Sequence, residues 1–110
     1  MAAAAARATL TRFQTKLFIN GQFVDAKSGK TFPVLNPATG DIICHVAEAD
    51  KADVDAAVEA AQAAFKSGWK YTEGSFRRDA MLRLADILER NCEEMAALEA
   101  LDNGKPLMEA

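Results

Sequence analysis

Apolar and polar residues follow a short period in the first half of this chain and a helical period in the second. Leu17-Phe18-Ile19 and Gln22-Phe23-Val24 flank Asn20-Gly21. Asn-Gly between apolar pairs favours a type I′ turn, because both central residues must take positive φ. This predicts a hairpin with strands near 17–19 and 22–24. Asp25 to Lys30 is polar and reads as a loop. Thr31 to Asn36 reads as a third strand, held to an edge position by Pro33, which has no amide hydrogen to donate. Pro37-Ala38-Thr39-Gly40-Asp41 is a turn, with proline presetting φ and glycine accepting the left-handed conformation. The return strand is 42–47, and strict alternation puts Ile42, Cys44 and Val46 on one face and Ile43 and His45 on the other.

The period then lengthens. Asp50 is a good N-cap, and Asp53 sits in the first turn, where the helix dipole favours an acid. Val54, Ala57, Val58, Ala61, Ala64 and Phe65 fall on one helical face, narrow and rich in alanine, suited to close packing on a neighbour. Gly68 ends this helix, and 69–74 form a connector. A second helix is expected from Ser75 to about Asp102. Phe76, Ala80, Met81, Leu84, Ile87, Leu88, Met95, Leu98 and Leu101 keep helical spacing for about seven turns, on the order of 40 Å. Asn103-Gly104 supplies a left-handed cap, and Pro106 prevents continuation. Leu107 to Ala110 then begin a further element. So long an apolar stripe needs a facing layer, and two small hairpins are a poor match for it. No internal repeat appears, and no linker divides 17–110.

Composition tempers the hydrophobic count. Half of the 110 residues are hydrophobic, but 23 of them are alanine, which buries little area. One modest core is possible. The net charge is −3, and Arg7, Arg12 and Lys16 put +3 on residues 1–16, leaving −6 for the rest. An acidic body with scattered lysines argues against nucleic-acid binding, which needs clustered cations. No apolar run approaches the roughly 20 residues that span a bilayer, so a soluble chain with no membrane partner is expected. Cys44 and Cys92 lie far apart, and free thiols in a reducing compartment are the default. Residues 1–16 read as a flexible tail or as a weak organelle transit peptide, since they are basic and free of acids. A cytoplasmic location follows from the first reading and a mitochondrial one from the second.

The residues that could carry chemistry have structural explanations at hand. His45 is the single histidine and lacks partners at metal-ligand spacing; with Cys44 on the opposite strand face, it reads as a partly exposed strand residue. Cys44 is an ordinary strand cysteine. Cys92 lies mid-helix beside the acids Glu93 and Glu94, a poor setting for an attacking thiolate. Asp102-Asn103-Gly104-Lys105 places its glycine after a helix rather than before one. It therefore reads as a cap with Lys105 near the negative dipole end, and not as a phosphate cradle. Glu93/Glu94 and Asp53/Asp55 diverge in direction and read as solvated faces. No dinucleotide fingerprint, Walker loop or metal cluster is present. The expectation is therefore no catalytic, no cofactor-binding and no metal-binding residue.

The order of motifs nevertheless resembles one family. Leu17 to Val24, then Asn36-Pro37-Ala38-Thr39-Gly40, then Val46-Ala47-Glu48-Ala49 leading into Asp53-Val54-Asp55-Ala56-Ala57-Val58, is similar to the start of an aldehyde dehydrogenase. Arg83-Leu84-Ala85-Asp86-Ile87-Leu88-Glu89 and Leu98 to Pro106 continue the likeness, which runs unbroken from about Leu17 to Ala110. Each motif alone is weak; five in order are specific, and the wording is closest to the mitochondrial and cytosolic NAD-dependent branch. The resemblance implies an α/β fold, of which this segment is two β-hairpins and two α-helices at the N-terminal part of the Rossmann-like cofactor domain. It implies oxidation of an aldehyde to a carboxylic acid with NAD or NADP, in a homo-oligomer. There a cysteine thiolate attacks the carbonyl, hydride passes to nicotinamide, and a glutamate-activated water releases the acid. The family's nucleophile, general base, cofactor glycines and oxyanion asparagine all lie beyond the matched segment, and Cys44 and Cys92 match no nucleophile position. Residues 17–110 are thus expected to be the N-terminal part of a truncated aldehyde dehydrogenase domain, catalytically incomplete alone. The alternative is a non-catalytic short form that binds full-length subunits.

Overall fold

The computed structural model describes residues 13–110. The Asn-Gly turn forms as its composition requires, with Asn20 at φ 52° and Gly21 at φ 77°. It joins β1 (Leu17–Ile19) to β2 (Gln22–Val24), antiparallel, with Leu17 opposite Val24 and Ile19 opposite Gln22. Phe18 and Phe23 face each other across the ladder with ring centroids 4.9 Å apart. Such a cross-strand aromatic pair is the usual unit of sheet stabilisation.

The second hairpin pairs β3 (Thr31–Leu35) with β4 (Ile42–Ala47). Its turn is organised by Asn36, which is buried. The Asn36 carboxamide oxygen accepts from the Ala38 amide at 2.9 Å, and its backbone carbonyl accepts from Gly40 at 2.7 Å. Val34 pairs with Cys44 and Leu35 with Ile42, so Ile43 is an extra residue without an opposite partner. Such a bulge breaks the alternation expected of this strand. Ile43 consequently lines the same small cavity as Cys44 and Val46, rather than sharing the face of His45.

Helix α1 (Lys51–Lys66) starts at the predicted cap. Asp50 and Asp53 form a reciprocal capping box, the Asp50 carboxylate accepting from Ala52 at 3.0 Å and Asp53 accepting from the Asp50 amide at 3.1 Å. A 3-10 turn at Trp69–Tyr71 follows, its Trp69 ring standing edge-on to Phe76.

The single long helix expected from Ser75 to Asp102 is two helices, α2 (Gly74–Arg90) and α3 (Cys92–Asn103), meeting at Asn91. Asn91 leaves helical geometry at φ −112°, ψ 16°. Its side-chain amide donates to the Ile87 carbonyl at 2.7 Å and shares that acceptor with its own backbone amide, at 3.2 Å. Asparagine competes with the backbone in this way, and apolar periodicity is blind to it. Helix α3 ends at Gly104, φ 80°, the predicted left-handed cap. A 3-10 turn at Leu107–Glu109 follows Pro106.

The core is small. Ala97 and Leu101 of α3 pack against Phe13 and Ile43, and Leu101 is the largest fully buried side chain among the described residues. Helix α2 buries none of its side chains. Phe76, Met81, Leu84 and Ile87 are each about half exposed or more. The accessible surface is 8438 Å², against about 5,900 Å² for a compact monomer of this mass. The radius of gyration is 17.4 Å, against about 13 Å for a compact chain of this length. The described elements form an open layer, and much of their apolar surface has no facing neighbour among the described residues.

Candidate functional site

Among the described residues, concavities lie where elements meet. One, about 560 Å³, is an open trough along the α2–α3 bend, lined mainly by Leu88, Cys92, Met95, Leu98 and Glu99. A second, about 130 Å³, separates β4 from α3 and is lined by Phe13, Ile43, Cys44 and Leu101 among others. A third, about 330 Å³, lies between the first hairpin and the alanine face of α1, from Asn20-Gly21 to Ala57 and Ala64. This is the neighbour that the narrow alanine stripe was suited to meet.

The chemistry-bearing residues do not converge on any of them. His45 is exposed on β4 opposite Pro33. Cys44 is half-buried against the small cavity, while Cys92 is exposed in the trough, and both thiols are free. Cys92 opens α3 rather than sitting mid-helix, a direct consequence of the break at Asn91. Glu93 and Glu94 occupy the first turn of α3, on the positive side of its dipole. No group of three or more histidine, cysteine or acidic side chains able to hold a metal occurs among the described residues. No helix among them is long and apolar enough to cross a membrane.

Asp102-Asn103-Gly104-Lys105 is a helix cap, as its order suggests. Lys105 pairs with Glu99 at 2.5 Å. Gly104 approaches the turn of the second hairpin so closely that a Cβ there would meet Pro37 Cγ at 3.0 Å. The Asn36-Pro37 and Asn103-Gly104 motifs, 67 residues apart, therefore touch. Glycine at 104 answers both the positive φ and the close approach.

Asp53 departs from the sequence expectation. It is not a solvated carboxylate but is 2% exposed. One oxygen accepts from the Lys27 amide at 3.0 Å and the other from the Asp50 amide at 3.1 Å. These bonds, that to Asp50 foremost and that to Lys27 next, hold its carboxyl below the ordinary aspartate range. Lys27 adds its ammonium to the Ala52 carbonyl at 3.2 Å. Asp53 ties the 25–30 loop to α1 and serves as a strut. The Asp-x-x-Asp spacing signals the capping box, but nothing local signals the partner 26 residues away. Asp55, by contrast, is exposed and pairs with Lys51 at 2.5 Å.

Comparison with known proteins bears on this scaffold. The model of the Aldehyde dehydrogenase family matches residues 23–110. The chain is 63% identical over 97 residues to a mitochondrial aldehyde dehydrogenase of Leishmania tarentolae, covering 88% of this chain and 19% of that protein. It is 54% identical over 96 residues to the mitochondrial aldehyde dehydrogenase of Homo sapiens, covering 86% and 19%. Among solved structures, betaine aldehyde dehydrogenase of Staphylococcus aureus in complex with NAD+ superposes with a TM-score of 0.91 at 31% identity, over 98% of this chain and 22% of that one. Indole-3-acetaldehyde dehydrogenase of P. syringae, in complex with NAD+, gives 0.88 at 40% identity, over 97% and 22%. The chain spans about a fifth of the length of the curated relatives it matches.

Proposed function

As the chain belongs to the aldehyde dehydrogenase family, we propose that these 110 residues build the N-terminal part of the cofactor-domain side of an NAD(P)-dependent aldehyde dehydrogenase. In this reading they contribute scaffold and no catalytic, cofactor-binding or metal-binding side chain. Oxidation of an aldehyde to a carboxylic acid belongs to the whole domain, which adds the nucleophile, the general base and the dinucleotide site. The observation that carries the proposal is the unfaced apolar layer. Helix α2 is amphipathic yet contains no buried residue, and in the relatives about four-fifths of the chain lies outside the matched part and is available to cover it. NAD is the favoured dinucleotide, since similar structures hold NAD+. The relatives named mitochondrial, with the acid-free basic stretch around Arg7 and Arg12, favour a mitochondrial location over a cytoplasmic one.

The same exposed faces favour a second reading. The 110 residues could act without catalysis by docking on full-length subunits, displacing their own first segment.

One experiment separates the readings. The purified chain is mixed with acetaldehyde and NAD, alone and after co-folding with the remaining four-fifths of the human relative. The scaffold reading expects no nicotinamide reduction alone and restored turnover on co-folding. Turnover by the chain alone would overturn it. Failure to restore activity, together with inhibition of an intact enzyme, would favour the docking alternative.

A further inference from the structure

The chain has four asparagines, and two of them, Asn20 and Asn103, precede glycine. An asparagine followed by glycine can lose ammonia spontaneously, because the next backbone nitrogen can reach the carboxamide carbon when no side chain stands in the way. The fold treats the two sites differently.

Asn20 and Gly21 are both exposed at the tip of the first hairpin. The Gly21 amide makes no hydrogen bond among the described residues. A Cβ built on Gly21 meets nothing within 4 Å, so the space a cyclic intermediate needs is open. The flanking ladder has three residue pairs in an isolated two-stranded sheet. Hairpins of that size are marginal on their own, which makes local opening of the turn cheap.

Asn103 and Gly104 are exposed as well, but hydrogen bonds and a close neighbour hold them. The Asn103 carboxamide oxygen accepts from the Lys105 amide at 2.9 Å. The Gly104 nitrogen, which would have to attack, donates to the Ala100 carbonyl at 3.1 Å. Pro37 crowds Gly104 from the side. The other two are unsuited for separate reasons. Asn36 precedes Pro37, which has no amide hydrogen to give up. Asn91 precedes the bulkier Cys92 and ties its amide to Ile87.

We propose that Asn20 is a site of spontaneous, fold-selected deamidation, a chemical clock on the first hairpin. The Gly21 nitrogen gives its proton to solvent base and bonds to Asn20 Cγ; the carboxamide C–N bond breaks and ammonia leaves. Water then opens the five-membered imide at one of its two carbonyls. Opening at the backbone carbonyl yields isoaspartate, and opening at the side-chain carbonyl yields aspartate. No oxidant or cofactor is consumed. Either product puts a carboxylate at the mouth of the cleft between hairpin and α1, which Asn20 and Ala57 line. Isoaspartate also adds a methylene to the main chain inside a two-residue turn, where turn geometry sets the strand register.

The test is a peptide map of the chain incubated at mildly alkaline pH, natively and in concentrated urea. The acid product at each asparagine is quantified by mass, and isoaspartate by enzymatic methyl labelling. The native chain should modify Asn20 about tenfold faster than Asn103, the factor for one protected backbone hydrogen bond. In urea the ratio should fall toward one, since both sites are then plain Asn-Gly. Asn20→Gly, which keeps the turn's positive φ, should abolish labelling of the hairpin peptide and leave the rate at Asn103 unchanged. Equal native rates would overturn the proposal, and so would a preference for Asn20 that persists in urea, which would belong to the peptide rather than to the fold.

Discussion

Asp53 links two segments through a single carboxylate, and its ionisation is therefore coupled to folding. Its folded-state pKa lies below its unfolded one, because ionised oxygens accept from Asp50 and Lys27. The stabilisation is fully present above the unfolded value of about 4 and is lost as pH falls through the lower folded value. Unfolding midpoints should thus drop on acidification below about pH 4, and Asp53→Asn should flatten that limb. An asparagine has one accepting oxygen where two are used, so the Lys27 or Asp50 amide should exchange with solvent about tenfold faster in the variant. Unchanged exchange at both amides would show that the strut carries no weight. At this scale the sequence was informative where a rule is local. Asn20-Gly21, Asp50 and Gly104 all take the conformations their types require. Asp53 was half legible, because its spacing from Asp50 marks a capping box while its bond to Lys27 depends on where a distant loop lands.

Elements show the same division. Both hairpins and α1 formed at the expected residues, since turn chemistry and capping act within a few residues. Two details escaped periodicity. The bulge at Ile43 turns an apolar side chain toward α3, and the bend at Asn91 divides one apolar stripe between two helices. Each replaces an ideal repeat with a local arrangement, and both adjoin the packed contact between α3 and the second hairpin. Leu101 sits at that contact, 1% exposed, against Phe13 and Ile43. Replacing it with alanine should cost about 3 kcal/mol, as large-to-small changes at buried leucines do. Denaturant titration of the chain and of L101A checks this. A loss well below 1 kcal/mol would mean that α3 does not anchor the second hairpin.

For the molecule as a whole, the deficit is in burial. A surface of 8438 Å² with four buried apolar residues among those described leaves little to offset conformational entropy. The isolated chain should bind a hydrophobic dye such as ANS strongly and exchange amides of α2 within the experimental dead time, while α3 amides near Leu101 persist longer. Absence of dye binding together with slow exchange throughout α2 would show that this layer stands alone. For the site the sequence offered an expectation alone: His45, Cys44 and Cys92 lack partners at catalytic spacing, and the family resemblance places the catalytic motifs outside the matched segment. What the sequence determined by itself was the two hairpins, the first helix and their caps and turns, because these rest on neighbours within one or two turns of chain, and the family, because its motifs keep their order along the chain. What only the tertiary structure decided was which carboxylate is buried, that Pro37 meets Gly104, and which apolar face stays open. Those outcomes depend on segments far apart in sequence arriving at the same place, and no local pattern encodes that arrival.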